Sequence, residues 1–180
     1  MPFTPFHMGV GMAAKAVAPR LISLQVFGVG QVLMDIEPGV RMVMDDDVLH
    51  GWTHTLWGSV PVALVTVLTW KLLEGRRVWR WTFEPLSTST LWATAFFAVW
   101  SHVLLDVLIH HDMGVTRALI HGLGETYFSH EVIERACMTA AGAGLIFLGI
   151  RMGAAATLGA WSRFWTNVRA PAAWFSREPM

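Results

Sequence analysis

Three stretches of the chain are long and apolar enough to be predicted as membrane-spanning helices: residues 55–73, 91–109 and 136–160. A helix that crosses a bilayer needs roughly 20 mainly apolar residues. Because backbone groups in hydrocarbon must be hydrogen-bonded within their own segment, each stretch is expected to be helical. Few charged residues interrupt them, chiefly Asp106 in the second stretch and Arg151 in the third.

The first third of the chain has a less regular pattern. Residues 8–34 are apolar on average, but Lys15, Pro19 and Arg20 break them in the middle. One interpretation is a single span over about residues 21–34. The other is a hairpin of two short helices that turns at Ala18-Pro19-Arg20, with arms of about 14 residues that reach only ~21 Å.

The composition supports a membrane protein. Hydrophobic residues make up 54% of the 180 and charged residues 14%, with a mean hydropathy of +0.47; a soluble domain usually carries about 25% charged residues. The formal net charge is zero, so nothing indicates a nucleic-acid partner. We therefore predict an all-α, polytopic membrane bundle with three long spans plus the N-terminal hairpin or a fourth span. Residues 1–160 form the membrane domain and 161–180 an interfacial amphipathic tail.

Basic residues predict the orientation, because Lys and Arg concentrate on the cytoplasmic side of a membrane. Nine of the thirteen fall on one side of the predicted spans under either interpretation of the first third. The polar segments rich in His and Asp therefore face away from the cytoplasm. The nine are Lys15, Arg20, Lys71, Arg76, Arg77, Arg80, Arg163, Arg169 and Arg177.

Histidines and aspartates on the non-cytoplasmic side form two rows with the spacing of one helical face. Two such rows, if they converge, supply enough nitrogen and oxygen ligands for one or two divalent ions. The first row is Asp46, His50 and His54, and the second is His102, Asp106 and His110.

Each row also has a simpler interpretation. The first row is explained equally by solvated or core-packed side chains at a helix end. His102 and Asp106 lie within an apolar segment, where ionisable side chains are expensive and indicate function. The alternative there is a self-contained polar pair in which His102 donates to Asp106.

Four motifs in order, FHMGVG, MDIEP, HGWTHTLWG and SHVLLDVLIHHDM, resemble the family of LexA-regulated, inner-membrane-associated metal-dependent hydrolases over about residues 4–113. The resemblance implies a metal site in the inner membrane of a bacterium. It also implies that His110 and Asp112 belong to an extension of the last motif. The implied metal-site residues are His7, Asp35, His50, His54, His102 and Asp106.

The chain departs from the family pattern at two points. Glu37 replaces the second aspartate of the second motif, and Gly51-Trp52 lacks the arginine of the third, which would suit a substrate phosphate. The resemblance also bears on the first third of the chain. His7 shares a side of the membrane with Asp35 in a hairpin but not in a single span, so the hairpin is favoured.

These observations predict a membrane-bound metal-dependent hydrolase that acts on a lipid or lipid-linked (phospho)ester at the non-cytoplasmic interface. Zinc suits the mixed imidazole and carboxylate ligands, as do manganese and iron. The candidates for general base, or for orienting the ligands, are Glu37, Asp46, His110 and Asp112. One competing prediction is a non-catalytic subunit of a larger membrane complex, with structural His/Asp pairs. Another is a transporter or metal carrier. A homo-oligomer is compatible with all three predictions.

Overall fold

The computed structural model describes residues 6–78, 81–83, 85–113, 116 and 128–157, and these residues form a helical fold. The predicted all-α class is confirmed. The exception within these ranges is a two-residue antiparallel ladder between Arg77–Val78 and Trp81–Thr82. A 3₁₀ turn spans Trp52–His54. The helices are α1 (Met8–Val17), α2 (Leu24–Met34), α3 (Ile36–Val43), α4 (Ser59–Leu73), α5 (Thr88–Ile109) and α6 (His130–Thr157).

The first third of the chain is a hairpin of α1 and α2, rather than a single span. The chain reverses over residues 18–23, where Pro19 cannot continue α1 with a backbone hydrogen bond. The Lys15 ammonium closes this reversal by donating to the carbonyl oxygens of Pro19 and Ile22, at 2.7 and 2.8 Å. Ser23 then caps α2 by accepting from the backbone nitrogen of Val26.

The tip of the hairpin is fixed to the first turns of α5. The Thr90 hydroxyl donates to the carbonyl of Arg20, and the Thr94 hydroxyl donates to that of Leu21, both at 3.0 Å. These bonds satisfy carbonyls that the ends of short helices leave free. They also place the other end of the hairpin, with His7 and Asp35, beside the C-terminal half of α5.

Helices α2, α4 and α5 pack together around the main apolar core. Its fully buried side chains include Met34, Trp70, Val99 and Val103. The closest approach is between Gly30 of α2 and Ala98 of α5, because a Cβ on Gly30 would lie 2.8 Å from the Ala98 methyl group. This contact brings the backbone of α2 close enough for its side chains to reach the histidine in the next turn of α5.

Within the part of the chain that the structure describes, two helices are long and apolar enough to cross a membrane, Thr88–Ile109 and His130–Ala154. The predicted span at residues 55–73 is shorter in the structure, because residues 55–58 form a turn and α4 has only 15 residues. At 1.5 Å per residue α4 reaches about 22 Å, less than a bilayer core. A membrane span at residues 55–73 therefore stays a prediction. The predicted tail at 161–180 lies outside the described residues.

Basic side chains gather at the hairpin-tip end of the fold. Lys15 closes the tip, Lys71 lies in the last turn of α4 and bonds Glu74 at 2.8 Å, and Arg151 of α6 donates to Ala16 O at 3.3 Å. The C-terminal end of α5 lies at the other end of the bundle. Arg41 lies at that other end, paired with Glu37 and Asp46. The orientation of the fold in a membrane stays a prediction.

Helix α6 packs along α1 through glycines. A Cβ on Gly9 would lie 2.0 Å from the carbonyl oxygen of Cys137, and one on Gly144 would lie 2.9 Å from that of Met12. Of the four glycines of α6, Gly144 is in such a contact. Gly142, Gly149 and Gly153 have no heavy atom within 4 Å of a built Cβ.

Gly9→Ala is expected to destabilise the protein, because the added methyl group overlaps backbone atoms of α6. Overpacking of this kind costs about 1–3 kcal/mol, more than the gain of up to ~1 kcal/mol that alanine brings to a helix. Gly149→Ala is the matched control and should keep or raise stability. Thermal unfolding in detergent, followed by circular dichroism, measures both; equal midpoints for the two variants would contradict the α1–α6 contact.

Candidate metal centre

The polar cluster forms where the C-terminal half of α5 meets three other parts of the chain. These parts are the segment before α1, the junction of α2 and α3, and the loop between α3 and α4. All six predicted metal ligands and His110 come together here. The members are His7, Asp35, His50, His54, His102, Asp106 and His110.

Asp106 lies at the centre of this cluster and is 3% exposed. Five imidazole Nε2 atoms surround its two carboxylate oxygens at 3.1–3.9 Å. Oδ1 faces His7 at 3.6 Å and His110 at 3.9 Å. Oδ2 faces His102 at 3.1 Å, His54 at 3.5 Å and His50 at 3.8 Å.

Two groups of three residues have ligand atoms close enough to hold a metal ion, and both include Asp106. In each group the candidate atoms lie within 4.8 Å of one another. Asp35 adds a carboxylate beside the first group, since its Oδ1 lies 3.4 Å from the Nε2 of His102. The first group is His7, His102 and Asp106, and the second is His50, Asp106 and His110.

Gln31 fixes the tautomer of His102. Its amide nitrogen donates to the carbonyl of Ala98 at 2.9 Å, so its oxygen faces the Nδ1 of His102 at 2.7 Å. That oxygen can only accept, and His102 therefore carries its proton on Nδ1. The Nε2 of His102 then faces Asp106 at 3.1 Å, and in the neutral imidazole this nitrogen carries the lone pair. Gln31 is not among the residues predicted for the site, although a glutamine within an apolar helix is a signal that could have found it.

Asp112 holds His50 in the same way. Its Oδ1 accepts from the Nδ1 of His50 at 2.9 Å, while its Oδ2 accepts from the backbone nitrogens of Leu49 and His50. Burial raises the pKa of the Asp112 carboxyl, but the hydrogen bonds from the backbone and ring of His50 outweigh it, so the net shift is downward. A carboxylate bonded to the far nitrogen of a ligating histidine is typical of metal sites. Asp112 therefore orients His50.

Thr53 and Glu37 orient His54 through a defined proton order. The backbone nitrogen of Thr53 donates to Glu37 Oε2 at 2.9 Å, and its hydroxyl donates to the same oxygen. The hydroxyl oxygen is then free to accept from the Nδ1 of His54, 3.1 Å away. His54, like His102, presents a bare Nε2 to Asp106.

Arg41 holds the Glu37 carboxylate from the other side, at 3.0 Å. Partial burial raises the pKa of Glu37, but the hydrogen bonds from Thr53 and Arg41 outweigh it and lower the pKa overall. Glu37 thus remains an ionised acceptor at neutral pH. The structure places this predicted catalytic carboxylate as a positioning residue for Thr53 rather than at the centre of the cluster.

Three buried nitrogens in the cluster lack a hydrogen-bond partner among the described residues: the Nε2 atoms of His7, His54 and His102. Buried polar atoms are normally hydrogen-bonded, so three such atoms around one carboxylate need an explanation. Burial is the main cause that lowers the pKa of His7 and His54 to about 4, and it does the same for His110. These imidazoles are neutral at pH 7, the form that binds metals. The cluster can hold a metal ion, and a bound ion would satisfy the bare nitrogens.

The first predicted row does not have the predicted helical geometry. His50 lies in a loop and His54 in the 3₁₀ turn, and their ring centres are 4.9 Å apart. His110 follows the end of α5 and packs against His50 at 4.1 Å. Asp46 lies outside the cluster: its carboxylate accepts from Arg41 at 2.9 Å and from the backbone of Val48. The loop, rather than a helical face, brings His50 and His54 together.

Comparison with known proteins identifies no relative of this chain. No protein-family model matches it, and neither does any curated protein or any solved structure. The interpretation of the cluster therefore depends on its geometry: a shared carboxylate, five histidines and three unpartnered nitrogens.

Asp112→Asn is expected to weaken metal binding by about 10–100-fold, the usual effect of losing a partner that orients a ligating histidine. The amide can still accept one hydrogen bond but loses the charge that favours the Nδ1–H form of His50. Asp47→Asn, at an exposed position, is the matched control. Competition with a chelator of known affinity measures both. Equal affinities in the two variants would show that Asp112 does not support the site.

Proposed function

We propose that this chain is a membrane-embedded, metal-dependent hydrolase whose centre is the Asp106 cluster. The observation that carries the proposal is the set of bare Nε2 atoms on His7, His54 and His102 around one buried carboxylate. The Nδ1 atoms of His102 and His54 are in turn bonded to Gln31 and Thr53, which can orient the two rings. The motif resemblance to the inner-membrane hydrolases, which rests on these same histidines and aspartates, agrees with the proposal.

The two ligand groups favour two ions, with Asp106 shared between them. Asp35 completes the first group. The ring centres of His54 and His50 are 4.9 Å apart, so His54 lies beside the second group. Mixed imidazole and carboxylate ligands favour zinc, with manganese or iron as alternatives. Such ions supply a coordinated water of lowered pKa and polarise the ester to be cleaved.

The protein's own side chains orient the metal ligands and exclude bulk water from the centre. Gln31, Thr53 and Asp112 hold three imidazoles in one tautomer, so that Nε2 faces the centre in each. Burial of His54 and His102 keeps bulk water from these nitrogens. His110 lies at the rim, with 14% of its side chain exposed, and marks the side from which a substrate enters.

A lipid or lipid-linked phosphoester is the substrate class we propose. The centre lies near the C-terminal end of α5, a candidate membrane span. If α5 spans, the centre lies at headgroup level, where a lipid ester arrives by lateral diffusion. Basic residues at the hairpin-tip end favour a cytoplasmic position for that end. The proposed orientation therefore has the centre on the non-cytoplasmic side of a bacterial inner membrane.

The same observation separates this proposal from the complex-subunit alternative. Structural His/Asp pairs would satisfy one another, because a buried polar group without a partner costs about 1–3 kcal/mol. Instead, one carboxylate has five imidazoles around it, and three of their nitrogens lack a hydrogen bond within the described part of the chain. In a neutral imidazole with its proton on Nδ1, such an Nε2 is an acceptor, and this excess of acceptors over donors favours a bound cation.

Elemental analysis of the purified protein should find about two equivalents of zinc, manganese or iron, one for each ligand group. Asp106→Ala should remove both, because both groups share this carboxylate, and His54→Ala should lower the content. His111→Ala, exposed and adjacent to the cluster, is the control. Release of headgroup or phosphate from a panel of phospholipids and lipid phosphates should follow the metal content. Metal content and turnover unchanged in both Asp106→Ala and His54→Ala would refute the proposal.

The orientation has its own test, since native Cys137 is buried and gives little background. Asp47→Cys, on the side of the centre, should react with a membrane-impermeant maleimide in spheroplasts. Ser89→Cys, at the hairpin-tip end, should react only after the membrane is permeabilised. The reverse pattern would place the centre in the cytoplasm.

A further inference from the structure

A groove opens on the outer flank of α4 and α5, close to the metal centre. Its volume is about 410 Å³, and it is lined by Leu56, Trp57, Val60 and Trp100. Pockets for small ligands usually have volumes of about 300–1,000 Å³. Among the described residues that line it, no side chain is charged, and the indole nitrogens of the two tryptophans are the only polar side-chain groups. A ligand that fits it has an apolar body.

The two tryptophans that form the walls are unusually exposed for residues of their size, 77% for Trp57 and 43% for Trp100. Tryptophan favours the ends of membrane spans, where its ring meets the headgroups. Trp57 lies before α4, on the side of the centre, and fits this pattern. Trp100 does not, because it lies nine residues before the end of α5, about 14 Å deeper along the helix. The groove thus runs from headgroup depth toward the hydrocarbon.

One tight turn connects this groove with the metal centre. Residues 52–58 carry His54, which is 1% exposed and faces Asp106, and Trp57, which forms a wall of the groove. The Thr55 hydroxyl braces the turn by donating to the carbonyl of Trp52 and accepting from the backbone nitrogen of Gly58, both at 2.9 Å. A Cβ on Gly58 would lie 1.8 Å from the Trp52 oxygen, so only glycine fits. The two sites therefore keep a fixed relation.

We infer that this groove binds one acyl chain of the lipid substrate and so presents the ester at its end to the metal centre. The inference rests on the proposed function for the position of the ester, while occupancy of the groove is measurable without turnover. A peptide occupant is disfavoured, because the lining leaves its backbone groups without partners at membrane depth. An acyl chain has no such groups. The groove thus selects lipids with a long chain over free phosphoesters.

The test uses the full chain in nanodiscs that contain a phosphatidylglycerol with a diazirine midway along one acyl chain. After photolysis, mass spectrometry compares labelling of the peptides that contain Trp57 and Trp100 with labelling of the exposed face of α6 at Ile146 and Ile150. The α6 face reports contact with bulk lipid. Several-fold more labelling in the groove is the expected result.

Val60→Trp fills the groove and should abolish this enrichment. Leu68→Trp adds the same side chain to the exposed face of α4 outside the groove and should leave the enrichment unchanged. Val60→Phe replaces the first variant if a thermal melt shows that Val60→Trp is unfolded. Equal labelling of the groove and of α6 in the wild type would overturn the inference. Enrichment that persists in a folded variant with the larger side chain at Val60 would also overturn it.

Metal content, measured on the same samples, separates this inference from the proposed function. Val60→Trp should keep the metal of the wild type. Enriched labelling in a protein that binds no metal would support the groove and refute the hydrolase. A protein that binds metal but shows no enrichment would refute the groove and leave the metal centre standing.

Discussion

The burial of the Asp106 carboxylate is the constraint on which the rest of the structure depends. An ionised group in an apolar helix is tolerated only if charges or hydrogen bonds compensate for its lost hydration. No lysine or arginine approaches it in the described residues; the contacts are imidazoles instead. Neutral imidazoles solvate a carboxylate only in part. A cation among the imidazoles would neutralise the buried negative charge. The contacts that the fold makes around Asp106 are therefore the same contacts that the proposed chemistry needs.

The hairpin and the α3–α4 loop are best understood as means of bringing ligands to that carboxylate. The hairpin tip is hydrogen-bonded to the first turns of α5, and its length then places His7 and Asp35 beside His102. The loop brings His50 and His54 from the opposite direction. Behind these histidines, Gln31, Thr53 and Asp112 set which nitrogen carries the proton. Ligand position comes from the fold, and ligand chemistry comes from these neighbours.

Sequence patterns predicted the helical fold and the members of the cluster better than they predicted how those members converge. His102 and Asp106 stand out because ionisable residues are rare in apolar helices, and that signal is local. The four-residue spacing of His50 and His54 suggested a helix, but Gly51 and the 3₁₀ turn make a loop, and the rings meet there for tertiary reasons. Asp46 followed from the same spacing and lies elsewhere, paired with Arg41. Gln31 carried no periodic signal, since its role depends on a contact 71 residues away.

The contact between His7 and His102 spans 95 residues of sequence, and this has a consequence for biosynthesis. Chains are synthesised at about 5–20 residues per second, so the N-terminal hairpin waits roughly 5–20 s before its partner helix exists. During that interval its tip carbonyls and His7 have no α5 to bind, and helices of 10 and 11 residues are only marginally stable on their own. The hairpin therefore takes its final place after α5 has been synthesised, so the position of the N-terminal segment is set by a later part of the chain.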